Sequence, residues 1–387
     1  VNSLDTVLKE RLDEISNAGL HRELRRIDSA QGTRILMNGV NSINFSSNDY
    51  LGLANHPALK EAAIKAVETF GTGSGASRLI CGSLKPHHDL ESALAEMKGS
   101  GAALSFSSGY NAALGTICAL MSDKDIIIID KRIHACIVDA AKLSGAKLRV
   151  FSHNNMDSLS EILEWATKQS LQKENKETPR VLVITESVFS MDGDIAPLKT
   201  IVELKNRHGA WLMVDEAHAT GLFGEKRSGL IEQLGLSGQV EIQMGTLGKA
   251  LGSSGGYICG SKKLIEYLVN RARSFIFSTA PAPGSSAAAL AAVKLLGSGE
   301  GARLCNHLSR NIAQTFHLLT NSEKSDGPLQ SAIFPIIIGD ESEAVQIFHS
   351  MREKGFFIPA VRFPTVSRGK ARLRLTLTAS HTPEEID

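Results

Sequence analysis

The feature that most constrains the fold is a rhythm in the middle of the chain, where apolar runs the length of a strand alternate with helical stretches. The runs are Ala102 to Phe106, Ile126 to Ile129, Leu148 to Phe151, Val181 to Thr185, Trp211 to Val214 and Tyr257 to Cys259. A strand covered by helices on both faces reads as a nearly continuous apolar run, so the alternation predicts an α/β fold with a mainly parallel sheet. The rhythm breaks at Pro281-Ala282-Pro283-Gly284. Beyond it, a strand around Ile333 to Ile338, a helix from Glu341 to Lys354 and a strand from Arg372 to Thr378 predict a smaller α+β unit. At the other end, Leu4, Val7, Leu8, Leu12 and Ile15 fall at helical spacing among charges, which predicts a surface helix. Asn38-Gly39 between two short strands predicts a hairpin with a type I′ turn. Pro57 opens a helical stretch that Gly71 closes, and Pro86 opens another. The expected division is residues 1–50 as an amino-terminal helix and hairpin, 51–283 as the large α/β domain, and 284–387 as the α+β domain. The charged stretch from Lys168 to Arg180 is expected to be a solvated helix end and loop.

Charge narrows the function. The 42 basic residues nearly balance the 41 acidic ones among 387, a formal charge of +1. That balance provides no general field for a nucleic-acid backbone, so nucleic acid is not an expected partner. No apolar run approaches the roughly 20 residues that cross a bilayer, so no membrane partner is expected either. Five cysteines, odd in number and without a C-x-x-C pair, fit a reduced, cytoplasmic setting and make a cysteine zinc site improbable.

Several motifs offer competing chemistry. Asp215-Glu216-Ala217-His218 ends an apolar strand, which places Asp215 at the carboxyl edge of the sheet. The same letters occur in nucleic-acid helicases, but such an ATPase needs G-x-x-x-x-G-K-[ST]. Here Gln243 and Ala250 occupy the positions of the first Gly and the Ser/Thr around Gly248-Lys249. Gly252-Ser253-Ser254-Gly255-Gly256 fits the serine-hydrolase elbow by letter, with Ser254 as the nucleophile. The strand follows the serine instead of preceding it, which favours a glycine turn. Gly71, Gly73 and Gly75 fail the dinucleotide fingerprint, since Ala76 follows and no strand precedes. His87 and Glu91, four apart on a helix, lack a third metal ligand nearby and are expected to be a surface pair, so no metal is assigned.

Lys249 is different. A lone lysine is usually solvated, but this one stands among glycines and small residues with no charged residue for seven positions on either side. A desolvated amine is a carbonyl nucleophile, and the aldehyde cofactor this implies is pyridoxal phosphate. That cofactor needs a lysine for its aldehyde, a carboxylate for its pyridinium nitrogen and donors for its phosphate. Lys249, Asp215 and His218 fit parts of that set.

Five stretches in order make the chain resemble the α-oxoamine synthases, fold type I pyridoxal-phosphate transferases that condense an amino acid with an acyl thioester. They are Ser47-Asn48-Asp49-Tyr50-Leu51-Gly52-Leu53, Thr185-Glu186 to Asp194, Asp215-Glu216-Ala217-His218 to Gly221, Thr246-Leu247-Gly248-Lys249 to Gly256, and Arg372-Leu373-Arg374-Leu375-Thr376. The resemblance implies that Lys249 anchors the cofactor and moves the substrate Cα proton, that Asp215 faces the pyridine nitrogen, that His218 bonds the phenolic oxygen and that His134 stacks on the ring. Without the resemblance, His134 would read as a helix cap. It further implies phosphate contacts from the Ser108-Gly109-Tyr110 backbone and Thr246, with Ser278 and Thr279 contributing from the partner subunit of a homodimer. Glu186 and Ser190 would line the pocket, and Arg374, helped by Asn48, would clamp the amino-acid carboxylate. Ala18 to Arg26, Arg78 to Ser83 and Arg374 to Ala379 are most similar to the branch that joins L-alanine to a pimeloyl thioester in biotin biosynthesis. A glycine C-acetyltransferase is the alternative within the family. Arg25 and Arg26 are the candidates for the far end of the acyl chain, against the plain reading of two solvated arginines.

Overall fold

The computed structural model describes residues 3–171, 178–320 and 331–387. Residues 172–177 of the charged stretch from Lys168 to Arg180 lie outside the described residues.

A sheet of seven strands runs through the large domain in the spatial order Ala102–Phe106, Gly256–Gly260, Ile242–Thr246, Trp211–Asp215, Val181–Glu186, Ile126–Asp130, Lys147–Phe151. The last five are mutually parallel, while Gly256–Gly260 runs antiparallel to both its neighbours. Every residue of Ile126–Asp130 is buried, as expected of a strand covered on both faces. The edge strand Lys147–Phe151 instead exposes charge, with Lys147 and Arg149 stacked 4.5 and 4.4 Å from the Trp165 ring. Charged side chains on an edge discourage pairing with another chain.

One strand escaped the sequence reading. Ile242–Thr246 is almost wholly buried, yet its Gln243 and Gly245 interrupt any apolar run. Gly245 is required there because a Cβ would lie 2.3 Å from the Tyr257 hydroxyl on the neighbouring strand. This strand delivers Thr246 and Lys249 to the sheet's carboxyl edge.

The hairpin forms as expected, with Arg34–Met37 paired to Val40–Asn44 and positive φ at both Asn38 and Gly39. It then takes Phe356–Phe357 as a third, parallel strand. The amino-terminal hairpin is thereby sewn to the carboxyl-terminal domain, a pairing across some 300 positions that no local pattern encodes. Ile333–Gly339 and Ala371–Thr376 pair antiparallel in a second small sheet. The Ala-rich helix Pro283–Leu296 packs on the helices Pro57–Phe70 and Lys85–Met97 of the large domain. Its small residues allow that close approach: a Cβ at Gly284 would already lie 3.2 Å from Val67. The amino-terminal helix Leu4–Asn17 lies on the surface with no buried residue. No helix among the described residues is long and apolar enough to cross a membrane.

Candidate active site

Register alone gathers most of the candidates. Pairing sets Glu186 beside Asp215, Asp215 beside Met244, Thr246 beside Gly256 and Gly256 beside Phe106. The strand ends therefore form one rim at the carboxyl edge, where open α/β sheets hold their ligands.

Lys249 follows the strand Ile242–Thr246, and its Nζ donates to Thr246 Oγ1 at 3.0 Å. Burial lowers its pKa, overcoming the opposite pull of the Asp215 and Glu186 carboxylates. The neutral amine is thus more accessible than for a solvated lysine, as a nucleophile or base requires.

Asp215 is buried at the end of its strand, and its Oδ1 accepts the Ala217 N–H at 2.9 Å. Burial raises its pKa, while Lys249 and the Ala217 N–H pull it back down. Glu186, its neighbour, accepts the Ser190 N–H on Oε2 at 3.2 Å, and its Oε1 is buried without a partner. Burial and then the Asp215 charge push Glu186 well above the usual carboxylate range. Burial and the neighbouring Asp215 charge therefore favour the protonated form of Glu186.

A stability test follows, because Glu186 is raised in the folded state. Its contribution is fully present below the unfolded value near 4.5 and is lost as pH rises toward the folded value. Glu186→Gln, neutral in both states, should gain on the wild type as pH increases above 4.5, by at most about 1.4 kcal/mol per pH unit. Urea midpoints of the cofactor-free proteins at pH 5 and pH 8 measure this. A difference between them that does not grow with pH would contradict the assignment.

His218 lies within the turn that follows Asp215. It is buried, and burial followed by the positive charges of Lys249, Arg374 and His134 holds its pKa well below the ordinary value. Its imidazole is therefore neutral, with Nδ1 2.5 Å from the Tyr50 hydroxyl.

Arg374 comes from the small domain. Its Nε donates to the Ser190 carbonyl at 2.7 Å, Nη1 to Thr376 Oγ1 at 2.8 Å and Nη2 to Asn48 Oδ1 at 3.1 Å. It is 5% exposed and, among the described residues, all of these partners are neutral. A buried guanidinium without a counter-ion is costly unless an anion completes it. A planar carboxylate matches that requirement.

At the other end, Ser108 caps the helix Gly109–Leu120, its Oγ accepting the Asn111 N–H at 3.1 Å. The first N–H groups of a helix have no intrahelical acceptor, so Gly109 and Tyr110 present theirs as anion donors. Backbones crowd here, for a Cβ on Gly109 would stand 2.6 Å from Thr246 Cγ2, and one on Gly256 2.6 Å from Gly109. The Tyr110 hydroxyl points elsewhere, donating to Asp139 Oδ2 at 2.7 Å. His134 caps the helix Ala135–Leu143, accepting the Cys136 N–H at 3.3 Å. The cap leaves the ring close enough to feel the Asp215 and Lys249 charges, although burial is the larger influence and lowers its pKa.

These groups fit pyridoxal phosphate. A desolvated lysine, a buried aspartate, a neutral histidine and a glycine-lined helix start share one rim, and beside it, among the described residues, a Glu186 oxygen lacks a hydrogen-bond partner and Arg374 lacks a carboxylate partner.

Other expected residues lie outside this hydrogen-bonded cluster. The Ser278 hydroxyl donates to the Thr279 carbonyl at 3.2 Å, and Thr279 bridges to Ser77. Arg25 stacks 4.8 Å over the Phe348 ring, and Arg26 pairs with Asp28 at 2.5 Å. Ser254 is exposed in the turn before Gly256–Gly260. His87 and Glu91 correct the expectation of a surface pair. His87 is buried, with Nε2 2.8 Å from the Pro281 carbonyl oxygen, and Glu91 binds Arg78 through both oxygens at 2.8 and 3.0 Å. No cluster of metal-binding side chains occurs among the described residues.

The sequence reading missed the supports behind the rim. Glu216 turns to the opposite side from Asp215 and binds Lys98 Nζ at 2.8 Å, both being fully buried. Burial opposes the Lys98 charge, but Glu216 holds its pKa above the ordinary lysine value. His153 bridges Asp130 at 2.8 Å and Asp194 at 2.6 Å, joining the loop before His134 to the loop after Ser190. Burial works against its charge and the carboxylates win, raising it to about 9. These partners lie tens to more than a hundred positions apart, and no sequence motif links them.

Comparison with known proteins agrees with this geometry. A family model described as aminotransferase class I and II matches residues 40–387. An 8-amino-7-oxononanoate synthase from Geotalea daltonii is 45% identical over 379 residues, covering 98% of this chain and 94% of that one. One from Geobacter sulfurreducens is 43% identical over 376 residues, covering 97% and 94%. A solved serine palmitoyltransferase from S. paucimobilis, with a bound PLP–myriocin aldimine, superposes with a TM-score of 0.89 at 28% identity, covering 100% of this chain and 96% of its own.

Proposed function

The chain belongs to the 8-amino-7-oxononanoate synthases, within the class I and II aminotransferase fold, and from that premise we propose how its own residues carry the reaction. It is a pyridoxal-phosphate-dependent acyltransferase. The reaction joins L-alanine to a pimeloyl thioester and releases 8-amino-7-oxononanoate, CO2 and the free thiol. The observation that carries the residue assignment is the buried Lys249, its pKa lowered, at one rim with Asp215 and an Arg374 that lacks a carboxylate partner among the described residues.

When bound, pyridoxal phosphate supplies an electron sink for the pair left on the amino acid's Cα. Lys249 Nζ, its pKa lowered by burial and its position held by Thr246 Oγ1, takes the Cα proton. Asp215, at its strand end, would face the ring nitrogen, where its carboxylate would favour the protonated form of the ring. His218 would donate to the phenolic oxygen, and His134 would cover the ring face. The Gly109 and Tyr110 N–H groups and Thr246 would hold the phosphate, with Ser190 and Glu186 closing the wall. Arg374 grips the alanine carboxylate as a fork, with Asn48 bracing one guanidinium nitrogen at 3.1 Å.

The substrate pair is tested by offering alanine, glycine and serine in turn with acetyl-, succinyl-, pimeloyl- and palmitoyl-CoA while following free thiol. Alanine with pimeloyl-CoA should be fastest. Glycine should be slower by tens to a few hundredfold, since a methyl group in a fitted pocket is worth about 1–3 kcal/mol. Faster turnover of glycine with acetyl-CoA would reassign the chain's substrates to those of a glycine C-acetyltransferase. Arg25, held over Phe348 and Phe357, is our candidate for the distal end of the pimeloyl chain.

The functional unit is a homodimer in this reading. Ser278 and Thr279 stand apart from the cluster of their own chain, beside the exposed Phe277, Leu79 and Ile80, as residues serving a partner's phosphate would. Mixing Lys249→Ala chains with Thr279→Ala chains should regenerate some intact sites. If mixed dimers form without any recovery of activity, the shared site is wrong. The unpaired state of Cys81, Cys118, Cys136, Cys259 and Cys305 suits a cytoplasmic enzyme.

A further inference from the structure

Tyr50 has no part in the chemistry above, yet its hydroxyl stands where two parts of the site meet. It lies 2.5 Å from His218 Nδ1 and 3.4 Å from Asn48 Oδ1, the same oxygen that accepts Arg374 Nη2 at 3.1 Å. We propose that Tyr50 is a positioning residue that holds His218 with its proton on Nε2 and links this histidine, through Asn48, to Arg374. The proposal rests on the roles assigned above to His218 and Arg374.

The ring cannot easily withdraw. Tyr50 is 1% exposed, and its carbonyl accepts the Ala379 N–H at 2.7 Å. The adjoining Asp49 carboxylate accepts the Leu53 and Ala54 N–H groups at 2.8 and 3.0 Å, which locks the turn. A Cβ on Gly52 would meet Ser380 Oγ at 2.2 Å, so the turn is also wedged against the small domain.

A neutral His218 carries one N–H, leaving two arrangements. In one, the phenol donates to Nδ1, and the proton on Nε2 is free to point into the site. In the other, Nδ1 donates to the phenol, whose proton must then go to Asn48 Oδ1. That contact is 3.4 Å long, beyond the usual 2.5–3.0 Å of an O–H···O bond, and its acceptor is already engaged by Arg374. The first arrangement gives the phenol proton a short acceptor and leaves Asn48 Oδ1 to Arg374, so Tyr50 selects the tautomer whose Nε2 proton can be donated to the cofactor's oxygen. A carboxylate arriving at Arg374 acts on the Asn48 end of the same chain.

The test uses full-length protein labelled with 15N-histidine, with and without pyridoxal phosphate, and assigns His218 by difference against His218→Gln. Wild type should show the proton on Nε2, and a proton on Nδ1 would overturn the proposal. Tyr50→Phe, checked for native folding by circular dichroism and thermal unfolding, should lose that preference and shift the pH profile of the cofactor's visible band. Its kcat should fall on the order of 10–100-fold, the scale of losing the residue that orients a metal-bound histidine, with a smaller change in the KM for alanine. An unchanged tautomer, band profile and kcat in Tyr50→Phe would equally overturn it. The tautomer measurement needs no substrate, so its outcome is separate from whether alanine and pimeloyl-CoA are the true pair.

Discussion

Lys249→Ala should abolish turnover, with a loss of at least about 10⁴-fold, because one substitution removes both the covalent anchor and the general base, and base catalysis alone contributes roughly 10²–10⁴-fold. Fold should be retained, since the side chain makes one hydrogen bond, to Thr246 Oγ1, and no ion pair among the described residues. Borohydride treatment of the loaded wild type should bleach the visible band and fix the cofactor on the peptide containing Lys249. Alanine at 249 should prevent that labelling. Cofactor fixed to another lysine in the wild type, or turnover in Lys249→Ala within tenfold of normal, would end the assignment.

The second large effect is on stability, and it originates on the reverse side of the same strand end. Lys98 Nζ is enclosed by Glu216 Oε2 at 2.8 Å, Thr220 Oγ1 at 3.0 Å and the Ser228 carbonyl, with neither charge exposed to water. Glu216→Gln should therefore cost about 3–5 kcal/mol, since it strands a buried ammonium without its counter-charge. The double variant Lys98→Met with Glu216→Gln removes both charges and should recover most of the loss. Urea midpoints of wild type, the single variants and the double variant decide the matter. A Glu216→Gln variant within about 1 kcal/mol of wild type would show the pair to be dispensable. The loop held by this pair carries Asp215 and His218, so the single variant should also bind pyridoxal phosphate more weakly.

Function and stability thus divide a four-residue stretch between them. Asp215 faces the rim because strand side chains alternate, and Glu216 takes the other side because of the same alternation. In the sequence both are acidic residues after an apolar run. The strand-end position of Asp215 was legible because the apolar run Trp211 to Val214 ends there. Glu216's role was not, since its partner is Lys98, 118 positions away.

His134 illustrates the same limit in another form. Its local signal, a helix cap, is correct, and the structure adds a ring near Asp215 and Lys249. His87 and Glu91 show the opposite case. The helical spacing was read properly, but burial gave each a different partner, Pro281 and Arg78.

What the sequence determined by itself were properties set by neighbours in the chain. These are the α/β rhythm, the Asn38-Gly39 turn, the cap at His134, the strand-end position of Asp215 and the isolation of Lys249 from other charges along the chain. Each follows from backbone preference or apolar periodicity within a few residues. Only the tertiary structure decided which of those residues meet. It added a strand at Ile242–Thr246 whose polar letters hid it, joined the first hairpin to Phe356–Phe357, and brought Tyr50 to His218 across 168 positions. It also placed Arg374 of the small domain against Ser190 and Asn48, with no carboxylate partner among the described residues. The physical reason is that burial and electrostatic pairing depend on distance in space. Once the sheet has folded, pKa values, tautomers and counter-ions are set by groups that the chain order keeps far apart.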